Sequence, residues 1–96
     1  FCRVTDVSMT GCMARLTGER PEPGTEATLV LSLLEQPVRL ECVVRRVLDG
    51  VPPEFSLGLE FAPGQREILG RLAVSLFNGG ARTSSAETPA YRPVAA

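Results

Sequence analysis

Phe55-Ser56-Leu57-Gly58-Leu59-Glu60-Phe61 is the stretch on which the fold turns. Large apolar residues alternate there with small or polar ones, the period of a strand that buries one face and exposes the other. A helix would scatter the same side chains around its circumference. Breakers bound the run on both sides: Asp49-Gly50-Val51-Pro52-Pro53-Glu54 reads as a loop before it, and Pro63-Gly64 stops it.

Toward the N-terminus the same period recurs. Val38, Leu40, Cys42 and Val44 share one phase, with Arg39, Glu41 and Val43 on the other; Arg45-Arg46 then slips the phase before Val47-Leu48, which predicts a β-bulge or a barrel corner. Glu35-Gln36-Pro37 is short enough to turn a hairpin from a preceding strand, in which Ala27, Leu29, Leu31 and Leu33 point one way and Glu26, Thr28, Val30 and Ser32 the other. Residues 17–24 hold two glycines and two prolines and form a loop. Before it, residues 2–5 and 12–16 alternate as two short strands, Cys2, Val4, Cys12, Ala14 and Leu16 inward, around the polar turn Asp6-Val7-Ser8-Met9-Thr10-Gly11.

Beyond Pro63-Gly64 the period changes. From Gln65 to Phe77, Ile68, Leu72 and Leu76 fall on one helical row with Leu69, Ala73 and Phe77 beside it. The strands carry more inward apolar surface than a narrow barrel needs inside, so this helix is expected to cap it, burying Ile68, Leu69, Leu72 and Leu76 against Leu57, Leu59 and Phe61. Residues 78–96 are small and polar and read as a disordered tail. The resulting expectation is an all-β fold, a small antiparallel β-barrel with a C-terminal α-helix, over residues 1–77, followed by the tail.

Composition narrows the function. A chain of 96 residues with formal charge -1 is one domain without the clustered positive charge that nucleic acid demands, so no nucleic-acid partner is expected. The absence of a long apolar run or signal peptide predicts no direct membrane insertion and a cytoplasmic location. Cys2, Cys12 and Cys42 form no CxxC pair and fall on inward phases, as buried free thiols of a reducing compartment do. Histidine is missing altogether, which removes the commonest general base and the ordinary zinc ligand. No carboxylate dyad or phosphate-cradling glycine motif stands out, and Glu41, Arg39 and Arg45 read as a solvated strand face. The expectation is a non-enzyme with no catalytic residues, metal or cofactor.

Interest therefore settles on the turn. Asp and Ser favour turns because their side chains bond nearby backbone, and Gly11 offers a place for positive φ or close approach of a ligand. Facing outward, Asp6 matches the N–H donors of a guanine edge and Ser8 can donate or accept. Facing their own backbone, the same residues merely connect two strands.

The turn Asp6-Val7-Ser8-Met9-Thr10-Gly11, the strand Cys12-Met13-Ala14-Arg15-Leu16, the Pro23-Gly24 loop and Ser56-Leu57-Gly58-Leu59-Glu60-Phe61 before a helix together resemble the PilZ domain family. Asp6, Ser8 and Gly11 meet its [D/N]xSxxG motif; Leu57, Gly58 and Phe61 meet its Leu-Gly-x-x-Phe signature. The resemblance implies a six-stranded antiparallel barrel that binds the second messenger cyclic di-GMP through Asp6, Ser8 and Gly11, and Arg3, a single arginine on the first strand, is added as a candidate ligand-binding residue. It further implies a regulatory module of a larger parent or partner protein, such as a cellulose-type polysaccharide synthase on the cytosolic face of the inner membrane, or a motility regulator. The family's RxxxR segment precedes the first strand, and only five residues stand before Asp6. A cut piece of a longer protein, or a degenerate member that binds protein instead of nucleotide in the type IV pilus manner, would each account for that.

Overall fold

Among the described residues, seven antiparallel strands wrap around one core: β1 (Cys2–Thr5), β2 (Gly11–Leu16), β3 (Glu26–Leu31), β4 (Val38–Asp49), β5 (Phe55–Phe61), β6 (Thr83–Ala86) and β7 (Ala90–Arg92). The computed structural model describes residues 2–31, 37–71, 83–86 and 88–92. Neighbours run β4-β5-β2-β1-β6-β3-β7, and a further β3–β4 pairing brings the order back on itself. Six positions make the ring. The sixth is shared, because β3 meets β6 at Leu31↔Ala86 and β7 at Glu26↔Arg92 to Thr28↔Ala90, along the same edge.

The inward phases form the core as the alternation predicts. Val4, Ala14, Leu29, Leu31, Leu40, Val44 and Leu57 have no measurable exposure, and Phe55 is the largest side chain among the fully buried. All three cysteines are buried in the same cluster, and none is in a disulfide. Burial pushes the thiols of Cys12 and Cys42 up to about 12, with neighbouring ionisable groups (for Cys12 the other two cysteines, for Cys42 Glu41) adding to the effect. The phase slip at Arg45-Arg46 is a bulge: Val44 lies opposite Leu59 and Arg46 opposite Gly58, leaving Arg45 as the extra residue.

The tail departs from expectation. Residues 83–86 pair with β1 along Cys2↔Ala86 to Thr5↔Thr83, and residues 90–92 pair with β3, so these parts of the expected disordered segment are strands. Two open strand edges accept backbone partners of any composition, which is why a count of small polar residues misleads here. The few large side chains do the anchoring. Tyr91 packs against the core, and Arg92 bonds Glu41 at 2.5 Å and approaches Glu26 at 3.6 Å.

A helix, α1, occupies residues 66–71 of the described chain, its first bond running from the N–H of Leu69 to the carbonyl of Gln65. Leu69 joins the core cluster that holds Leu57, Leu59 and Phe61, and Ile68 packs on it half-buried. Leu72, Leu76 and the rest of the expected helix lie outside the described residues, as does most of the 35–37 hairpin. Gln65 itself fastens the start of α1 to the sheet. Its amide donates to the carbonyls of Glu41 and Ala62, each at 2.9 Å, and accepts from the N–H of Glu41 at 2.7 Å, bonding β4 as a strand residue would.

Candidate functional site: the β1–β2 turn and its groove

The turn between β1 and β2 begins with a residue in an unusual conformation. Asp6 has φ of 53°, the only positive value at a non-glycine among the described residues. Aspartate tolerates this left-handed region better than most residues because its short polar side chain can bond locally. Here it hardly does so. Its carboxylate receives one long bond, 3.4 Å from the Thr5 hydroxyl, and the side chain is exposed.

Ser8 behaves differently. Its hydroxyl oxygen accepts from the N–H groups of Thr10 at 3.2 Å and Gly11 at 3.3 Å and lies 3.1 Å from the Thr10 hydroxyl, while its own N–H donates to the Gly11 carbonyl at 2.9 Å. Ser8 is thus the residue that ties the turn, and Asp6 the one that the tied turn presents.

Gly11 is corrected in its reason. Positive φ is not what it supplies; a Cβ at this position would run into the backbone carbonyl of Leu59 on β5, its near neighbour across the sheet. The close approach foreseen for a ligand is made by the protein's own strand. Glycine there lets the end of β2 lie tight on β5, and the adjoining bond from the Phe61 N–H to the Thr10 carbonyl, 2.8 Å, fixes the turn over that strand.

Asp6, Ser8 and Gly11 line one open groove of about 360 Å³ on the outer face of the barrel. Its other walls come from Met13 on β2, the bulge residues Arg45 and Arg46 on β4, and Gly58 and Glu60 on β5. Arg3 is not among the lining residues. It projects from the exposed face of β1, opposite Arg15 on one side and Ser85 on the other.

Charge in the groove is mixed. Arg45 pairs with Glu60 through Nε and Oε2 at 2.7 Å, both side chains about half exposed, so neither charge is strongly desolvated. The bulge gives two consecutive arginines to the exposed side, and this is the part of the site that reading the sequence missed. Both sit in a phase break already visible there. What the linear chain did not reveal was that this break lies two strands over from Asp6, across β5.

The arrangement offers a carboxylate to donor edges, hydroxyls and guanidinium forks to acceptors, and a floor without a side chain at Gly58. Such a set is suited to holding a polar ligand. Among the described residues no group of three or more His, Cys, Asp or Glu side chains is placed to hold a metal, and no helix is long and apolar enough to cross a membrane.

No curated protein and no solved structure matches the chain. The family model described as PilZ domain does match, over residues 1–78, and takes in the turn, the bulge and β5. A barrel closed on itself, the DxSxxG turn seated on β5, and a match across most of the length lead to one assignment: the chain belongs to the PilZ domain family.

Proposed function

We propose that this domain is a cyclic di-GMP receptor that regulates a larger protein, with Asp6 and the tied turn around Ser8 and Gly11 forming the guanine-binding wall of the groove. The observation that carries this reading is the division of labour in the turn: Ser8 spends its hydrogen bonds on the backbone, whereas Asp6 is held at positive φ with its carboxylate nearly unengaged at the groove. A carboxylate can accept from two donors on a guanine edge at once, and charge-assisted bonds of this kind are about twice as strong as neutral ones. The family is regulatory and binding rather than catalytic, in line with a groove that offers recognition groups alone.

The output is a parent or partner protein, of which a cellulose-type polysaccharide synthase or a motility regulator is the class that the resemblance implies. Cytoplasmic placement is supported by three buried cysteines outside any disulfide, a state that reducing compartments maintain.

One observation favours a second reading, a degenerate interaction module. Ser8, a motif residue, is satisfied within its own turn and has no need of a ligand. Titration of the chain with cyclic di-GMP, followed by amide NMR up to millimolar ligand, separates the two. The receptor reading expects shifts confined to the turn, Arg45, Arg46 and the Gly58–Glu60 stretch. No shift at millimolar ligand would overturn the receptor reading for this chain.

A further inference from the structure

The bulge on β4 does something to Gly58 that strand alternation does not explain. Gly58 lies on the outward phase of β5, between Ser56 and Glu60, yet it is buried. What covers it is Arg46, its register partner, whose chain lies across the glycine: a Cβ built at Gly58 would stand 3.5 Å from both Cβ and Nε of Arg46. Glycine leaves the arginine room to lie flat against the strand, and the bulge aims it there.

The two bulge arginines are then in different states. Arg45 is held by Glu60. Among the described residues Arg46 has no ion pair and no side-chain hydrogen bond, although it lines the groove that Asp6 faces. The groove therefore presents an unengaged guanidinium and a nearly unengaged carboxylate on different walls, a pairing suited to a ligand that carries donor edges and an anion together.

We infer that Arg46, laid over Gly58 by the β4 bulge, is a ligand-binding residue that contacts the phosphodiester of a guanine nucleotide in this groove. The inference rests on the receptor reading above and adds to it an anion-binding fork drawn from the opposite side of β5. Arginine suits the task because its planar fork meets two phosphate oxygens at once and stays charged at every relevant pH. Gly58 has the positioning role: a branched side chain there would lift Arg46 off the strand and out of its place in the groove.

Calorimetric titration with cyclic di-GMP tests this, using the unsubstituted chain, Arg46→Ala, Gly58→Val, the double variant, Asp6→Ala and, as a charge control away from the groove, Arg39→Ala. Thermal unfolding of each variant confirms that it is folded. Arg46→Ala is expected to weaken binding about tenfold or more, Arg39→Ala to change it less than twofold, and Gly58→Val to weaken it without adding to the loss in the Arg46→Ala background. Should Arg46→Ala stay within twofold of the parent while Asp6→Ala abolishes binding, the role of Arg46 falls and the receptor reading stands. An equal loss from Arg39→Ala would reduce the effect to net charge and overturn the inference. No binding by the unsubstituted chain would remove both.

Discussion

On its inner face β5 carries Phe55, Leu57, Leu59 and Phe61, none more than 7% exposed; on its outer face it carries Ser56, Gly58 and Glu60. The inner residues share one core cluster with buried side chains of β1, β2, β3, β4 and α1 and could exchange places with other hydrophobes of similar volume at modest cost. The outer residues have individual partners: Gly58 lies under Arg46, Glu60 bonds Arg45, and the end of the same strand receives Gly11 and Thr10. One face is specified by volume and the other by identity. With the groove as the proposed binding site, stability and recognition fall on opposite faces of a single strand, and substitutions on the two faces should separate in the same way.

The sharpest break in that comparison comes from the inner face. Leu57→Ala, at a side chain with no exposure, is expected to lower the unfolding free energy by about 2–5 kcal/mol, measured by denaturant titration. A loss below about 1 kcal/mol would show that the face is not packed as described. Next is the turn that overhangs the outer face. Asp6→Ala should eliminate cyclic di-GMP binding while lowering stability by no more than about 1–2 kcal/mol, the scale of a left-handed backbone position without glycine or a tolerant side chain. Asp6→Gly sharpens the point, since it relieves the backbone and still removes the carboxylate: stability should be kept or raised, binding lost. Unfolding of the domain by both substitutions would make the turn a structural element only.

The smallest effect belongs to the outer face away from the groove, where β7 is held. Desolvation pushes the Glu41 carboxyl up, but the hydrogen bonds from Arg92 and Thr28 and the charges of Arg92 and Arg39 outweigh it, leaving the group below its ordinary 4.5. A depressed carboxylate stabilises the fold above its unfolded value, so this contribution is present at neutral pH and is lost as pH falls below about 4.5 through the lower native value. For a partly exposed pair it amounts to under about 1 kcal/mol. Acid titration of stability should accordingly be shallower in Arg92→Ala than in the parent chain, and equal acid limbs would mean that Arg92 does not hold β7.

Period-two alternation makes β5, β3 and most of β4 legible in the sequence, and the broken phase at Arg45-Arg46 marks the bulge, because both signals are local. The site was legible only as far as it was local. Asp6 and Ser8 announce a turn by their chemistry, but which of them ties it and which is presented depends on hydrogen bonds formed after folding. The reason for Gly11 lies on Leu59, nearly fifty residues away, and the seat of Arg46 lies on Gly58 across a strand pair. Residues 83–86 and 90–92 failed on a different ground. Their strand character comes from the edges they meet rather than from their own side chains, and an edge is a property of the rest of the sheet.

The seam between β1 and β6 joins Cys2 to Ala86, some eighty residues apart along the chain. Translation proceeds at about 5–20 residues per second, so on the order of 4–16 s separate the emergence of the two sides of that seam. Throughout that interval β1 can find β2 but not β6, and the edge that β6 will take is a template for any passing strand. The barrel is thus a structure with a late-arriving stave, and the ribosome's pace, more than the final stability of the ring, sets how long a newly made chain is exposed to misassembly.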